Sequence, residues 1–235
     1  MKRLLGQTAI VTGAGRGIGK AIATALAAEG ANVVLAARTA SELESVAVAV
    51  RQAGGGALVR RTDMTKDDDV QALVDAAVQH YGGIDIVVNN AGMGVFQRCV
   101  DMEVEEFDAM WRLNMRAVFV LTKLSLPHMI ARKQGAIVNI ASLAGKNSFV
   151  NGTGYAATKW ALRGWANSLM LEVREHNIRV ITIFPGSVNT SFSSFNKRGE
   201  SITQPEDVAA AVVFAVTSPA RSMFSEIDVR PTRPM

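Results

Sequence analysis

The chain of 235 residues has a single cysteine, Cys99, so it closes no internal disulfide and offers no thiolate cluster to a metal. A lone cysteine reads more readily as a small apolar residue than as a nucleophile. No uninterrupted apolar run reaches membrane-spanning length, and the opening Met1-Lys2-Arg3-Leu4-Leu5-Gly6-Gln7 lacks the long apolar stretch of a signal peptide. A soluble, cytoplasmic protein with no membrane partner is the expectation. Excess charge is also scarce. Lys and Arg total 25 against 21 Asp and Glu, a formal net charge of +4, and the charges are scattered rather than blocked. With no recognisable nucleic-acid module, nucleic acid is not an expected partner. A Gly-x-Ser-x-Gly elbow is missing, which disfavours a hydrolase, and there is no repeat, low-complexity tract or interdomain linker.

What the chain does have is apolar residues, 49% of the total, enough for one α/β domain whose sheet is buried on both faces. Apolar runs predict strands at Thr8–Val11, Val33–Ala37, Ala57–Arg61, Ile84–Asn89, Gly135–Ile140, Arg179–Phe184 and Glu226–Arg230. Between them, helical patterns cover Lys20–Gly30, Asp67–Tyr81, Glu103–Trp111, Met115–Arg132, Gly154–His176 and Pro205–Val216. This alternation implies a single doubly wound domain of Rossmann type over residues 1–235, with a parallel sheet of about seven strands flanked by helices. Ligands of such sheets bind outside the carboxyl ends of the strands.

The first strand runs into Thr12-Gly13-Ala14-Gly15-Arg16-Gly17-Ile18-Gly19 and then into a helix. Glycines there allow a tight turn and a close backbone approach to a pyrophosphate at the helix N-terminus. Folds of this kind that take NAD usually carry an acidic residue about 20 positions further on, for the ribose 2′-hydroxyl. Here Ala37 is followed by Arg38. A guanidinium suits a 2′-phosphate, and Arg16 could add a second cation, so NADP(H) is the expected cofactor. The alternative is that Arg38 is merely a solvated residue at the start of the next helix.

Tyr155 and Lys159 stand four residues apart, thirteen positions or more after Ser142. On a helix they share one face. A cation beside a phenol favours its ionised form, and a serine hydroxyl can hold a carbonyl or alcohol oxygen while a proton moves. Taken singly, Ser142 could be a turn or capping residue and the Tyr–Lys pair a half-buried ring beside a solvated charge.

With those motifs in order, the chain resembles the short-chain dehydrogenase/reductase family in its compact single-domain branch, from Gln7 to the last strand. The cofactor signature matches at Thr12 to Gly19, the Asn-Asn-Ala-Gly element at Asn89-Asn90-Ala91-Gly92, and the turn after the sixth strand at Pro185-Gly186. The resemblance implies a catalytic set of Asn114, Ser142, Tyr155 and Lys159. It implies a cofactor site of Gly13, Arg16, Gly17, Ile18, Gly19, Arg38, Asp63, Met64, Asn90, Ala91, Gly92, Tyr155, Lys159, Pro185, Gly186, Val188 and Thr190, and no metal. Tyr155 would be the general acid of carbonyl reduction and the base of alcohol oxidation. Lys159 would lower its pKa and hold the nicotinamide ribose, Ser142 would orient the substrate oxygen, and Asn114 would position a proton relay. Asn114 alone could equally be a cap where two helices meet.

The substrate is less legible. Residues 191–203 read as a lid, and Val95, Phe96, Leu143 and Phe149 as either an apolar pocket or ordinary packing, which favours an apolar ketone or aldehyde over a sugar. Reduction of a 3-ketoacyl group on acyl carrier protein is one specific alternative, with Arg98, Lys146, Lys197 and Arg198 as a docking patch for an acidic partner or as plain solvated charge. A non-catalytic redox regulator is another, although the Tyr–Lys–Ser set it would lack is intact. The long apolar helices suggest a homodimer or homotetramer, while the closing Asp228-Val229-Arg230-Pro231-Thr232-Arg233-Pro234-Met235 departs from the family's usual tail.

Overall fold

A computed structural model describes residues 2–192 and 201–232. The seven runs of apolar sequence form one parallel sheet in the order β3-β2-β1-β4-β5-β6-β7. The strands are β1 (Thr8–Thr12), β2 (Asn32–Ala37), β3 (Ala57–Arg61), β4 (Ile86–Asn89), β5 (Gly135–Ile140), β6 (Ile178–Pro185) and β7 (Glu226–Val229). Side chains of a strand alternate between the two faces, and each face has its own core. Ala9, Val11, Val33, Leu35 and Val138 point to one face, where α1 (Gly17–Ala28), α2 (Ala40–Gln52) and α7 (Pro205–Thr217) cover them. Ile10, Val34, Val87 and Ile137 point to the other, under α3 (Asp67–Tyr81), α5 (Ala117–Arg132) and α6 (Thr153–Val173). A leucine as fully buried as Leu26 or Leu73 contributes about 1.5–3 kcal/mol.

Helix ends follow their local chemistry. Asp67, Asp68 and Asp69 fill the first turn of α3, where acidic groups complement the helix dipole, and Gly82 closes it at φ 80. Gln204 and Asp207 form a reciprocal capping box ahead of Pro205 at the start of α7. The structure adds α2, which the strand-and-helix reading left undelimited; its Leu43, Val46, Ala47 and Val50 are buried at helical spacing. It also joins α4 (Val104–Trp111) to α5 through a π-helical turn, Arg112–Arg116, where the sequence suggested two separate helices. Such single wide turns concentrate at functional sites, and this one carries Asn114.

The chain leaves β1 toward β2 and β3 and then returns to β4 on the opposite side. The carboxyl ends of β1 and β4 therefore border the crevice where the strand order reverses. No helix among the described residues is long and apolar enough to cross a membrane.

Candidate active site

At that crevice Thr12, the last residue of β1, ties the glycine turn to the end of β4. Its Oγ1 donates to the Val88 carbonyl at 3.1 Å and accepts from the Asn90 and Ala91 N–H groups at 3.0 Å each. Asn90 Nδ2 donates back to the Thr12 carbonyl at 2.8 Å. Gly13 and Gly17 take positive φ, 63 and 54, and a side chain on Gly13 would lie 2.9 Å from Asn90 Nδ2. Gly19 packs against the carbonyl of Gly13, so closely that any Cβ there collides with backbone. A bare backbone is thus presented at the mouth, the cradle a pyrophosphate needs.

One cavity of about 610 Å³ runs from this turn across the carboxyl edge of the sheet. Gly13, Arg16, Gly17 and Ile18 line it beside Arg38, Asp63 and Met64; Asn90, Ala91 and Gly92 follow, then Ser142, Tyr155 and Lys159, and finally Pro185, Gly186, Val188 and Thr190. Two of the expected residues do not line it. Gly19 is buried beneath Gly13. Asn114 lies behind the wall, accepting from the Met93 N–H at 2.9 Å and donating to the Met93 carbonyl at 2.8 Å and to Thr158 Oγ1 at 3.0 Å.

At the end formed by β2 and β3, Arg38 is exposed and Asp63 accepts from the N–H and hydroxyl of Thr65 at 3.0 and 2.8 Å. Those hydrogen bonds, aided by the charge of Arg38, hold the Asp63 carboxyl below its ordinary value. A carboxylate not anticipated in this wall, Glu42 of α2, also faces the cavity.

At the other end α6 enters beside the short helical turn Leu143–Gly145. Gly145 lets the two approach, since a Cβ there would be 2.8 Å from the Lys159 carbonyl oxygen. Ser142 caps that turn, its Oγ accepting from the Ala144 N–H at 3.1 Å, and is also hydrogen-bonded to the Tyr155 hydroxyl. Burial pushes the Tyr155 hydroxyl up to about 12, opposed by the Ser142 hydrogen bond. Lys159 does not enter that shift. Lys159 Nζ lies 5.6 Å from the Tyr155 ring centre and donates instead to the Ile140 carbonyl at 3.0 Å. Its own pKa falls to about 8 because burial disfavours the ammonium.

Around Tyr155 the wall is aromatic. Phe96 stands edge-on to it at 5.2 Å between ring centres and Phe192 lies tilted at 5.9 Å, with Phe149 6.1 Å from Phe96. Leu143 joins them, whereas Val95 packs with Met110 and Ala144 beside Tyr155 rather than lining the cavity. Phe192 belongs to the anticipated lid; of that segment, residues 193–200, including Lys197 and Arg198, lie outside the described residues. Lys146 does not belong to a free basic patch. Asp228 and Glu226 hold it at 2.7 and 2.9 Å, and Glu226 also takes both hydrogen bonds of Arg163 at 2.7 and 3.0 Å.

Thr158 and Glu42 escaped the sequence reading as site residues, and Thr12 entered it only as the first residue of the cofactor signature, without its role in tying β1 to β4. Thr158 and Glu42 act through tertiary neighbours and leave no local signal.

A glycine turn and a buried phenol opening onto one cavity at a doubly wound sheet's carboxyl edge are the arrangement of a dinucleotide-dependent oxidoreductase. Comparison narrows this class. The short chain dehydrogenase family model matches residues 7–201. An uncharacterized oxidoreductase of Staphylococcus aureus is 38% identical over 98% of this chain and 100% of its own length. A metagenomic short-chain oxidoreductase solved in complex with NADP superposes with a TM-score of 0.88 at 39% identity, over 99% of this chain and 100% of that one. A 7α-hydroxysteroid dehydrogenase solved with NADH and 7-oxo glycochenodeoxycholic acid gives 0.92 at 34% identity, over 98% and 95%. The chain belongs to the short-chain dehydrogenase family and is an oxidoreductase.

Proposed function

We propose that this protein is an NADP(H)-dependent reductase of apolar ketones or aldehydes, with Tyr155 as the proton donor. The observation that carries the reading is the Tyr155 hydroxyl, hydrogen-bonded to Ser142 and walled by phenylalanine, in the same cavity as the glycine turn. The residues fit the cofactor: backbone unobstructed by side chains at Gly13 and Gly17 suits a pyrophosphate, and Arg16 and Arg38 suit a 2′-phosphate. The structural relative with NADP supports that choice. NADP(H), when bound, supplies hydride chemistry that no side chain can.

The chain's own residues then have three tasks. Ser142 orients the substrate oxygen and donates to it as negative charge grows there. Tyr155, kept protonated by burial, gives its proton to that oxygen in the reductive direction. Lys159, still mainly charged at neutral pH with a pKa of about 8, stabilises the phenolate left behind. Asn114 serves as a positioning residue for a relay. A Cβ on Gly92 would lie 3.2 Å from Asn114 Oδ1 and 3.9 Å from Lys159 Nζ, so the glycine keeps the space between them open.

The aromatic wall supports an apolar substrate, and Lys146, engaged by two carboxylates, speaks against a carrier-protein dock at that residue. A homodimer or homotetramer is the proposed assembly. Initial rates of NADPH oxidation against apolar ketones, aldehydes and polyols, repeated with NADH, test the reading. Turnover of the apolar carbonyls with NADPH preferred is expected; equal use of polyols, or preference for NADH, overturns it.

A further inference from the structure

Glu42 lies in the first turn of α2, three residues after Thr39. Thr-x-x-Glu at a helix start ordinarily closes a capping box, yet Thr39 makes no side-chain cap hydrogen bond. The carboxylate crosses to the glycine turn instead. Its Oε2 lies 2.7 Å from where a Cβ on Gly15 would stand, and its Oε1 is 3.8 Å from Arg16 Nη1. With 73% of the Arg16 side chain and 38% of the Glu42 side chain exposed, the pair contributes little to stability. Both residues line the end of the cavity that Arg38 and Asp63 also border.

We propose that Glu42 is a specificity-determining residue that weakens recognition of a phosphorylated ribose by occupying Arg16. The inference rests on the cofactor reading above, in which Arg16 and Arg38 take the 2′-phosphate. An incoming phosphate dianion must draw Arg16 from its carboxylate partner and lie near a like charge, which costs affinity. A ribose bearing a free 2′-hydroxyl meets no such repulsion and finds in Glu42 an acceptor, the part an acidic residue usually plays at the end of the second strand. Glu42 thereby narrows the gap between phosphorylated and unphosphorylated cofactor that two arginines would otherwise open.

Calorimetric titration of the full chain with adenosine 2′,5′-bisphosphate and with adenosine 5′-monophosphate tests this without turnover. For Glu42→Gln, which keeps length and polarity but not charge, affinity for the bisphosphate should rise about three- to tenfold, and the monophosphate should bind no tighter. The gain should shrink at high salt, because exposed charges are screened. Unchanged or weaker bisphosphate binding in the variant overturns the role of Glu42. A wild type indifferent to the 2′-phosphate whose Glu42→Gln variant gains the preference would keep that role while overturning NADP(H) as the wild-type cofactor. Indifference in both proteins overturns both readings.

Discussion

Tyr155 and Lys159 are buried by the same packing, and burial acts on them in opposite senses. It disfavours the phenolate and the ammonium alike, so the phenol rises to about 12 and the amine falls to about 8. Reductive kcat/KM should therefore fall with an apparent pKa near 8, as Lys159 loses its charge while Tyr155 keeps its proton. Lys159→Arg should carry that limb to higher pH, and a profile without it would contradict the assignment. The same shift has a stability consequence with a definite sign. Below about 8 the folded chain holds a buried ammonium. Between about 8 and the ordinary 10.5 the unfolded chain binds more protons, so stability from this group rises with pH across that window. Urea midpoints of the wild type should gain on those of Lys159→Met from about pH 8 to 10. Ser142→Ala should lower kcat by about 10²–10³, the loss typical of one donor to a developing oxyanion, with cofactor affinity unchanged by titration. That Tyr155 and Lys159 share one helix was legible because helical spacing is a local property. The direction of the Lys159 hydrogen bond was not, since it depends on where β5 places the Ile140 carbonyl.

Glycines at element junctions and within elements have opposite roles here. Gly164 lies inside α6 with nothing within 4 Å of a Cβ. Gly164→Ala should raise stability by about 0.5–1 kcal/mol, the helix-propensity difference, read from denaturant unfolding. Gly19→Ala should do the reverse, because its Cβ would meet the Gly13 carbonyl; a loss of cofactor binding should accompany the lost stability. Strand and helix positions were largely legible in the sequence. Asp67–Tyr81, Ala57–Arg61 and Gly135–Ile140 form elements with those very bounds, since turn residues and apolar runs mark them. The π turn at Arg112–Arg116 was not legible, because a widened turn has no composition of its own. Within it Asn114 donates to the Met93 carbonyl and to Thr158 Oγ1, partners distant in sequence.

At the scale of the whole molecule, large apolar side chains of the described residues are exposed on several faces, among them Val104, Phe107 and Trp111 of α4. On α5 and α6, Phe119, Leu126, Pro127, Ile130 and Trp165 line a shallow groove, with Phe119 48% exposed. On α7 and the segment before β7, Phe214 and Phe224 pair at 4.7 Å, both exposed. Sedimentation should show a dimer or tetramer, and Phe119→Glu should shift it toward monomer; a wild-type monomer would contradict the proposed assembly. Fold class was readable because the alternation of strand and helix is global and redundant. The exposed faces were not legible, since exposure is a property of the folded surface. The central step of the proposed function is proton delivery by Tyr155. Its most direct test is a paired measurement on Tyr155→Phe, with NADPH affinity by titration and NADPH oxidation with the best ketone of the panel. Affinity within about twofold of wild type and turnover lower by a factor of 10² or more, as for loss of a general acid, is the predicted result. Turnover comparable to wild type would contradict it.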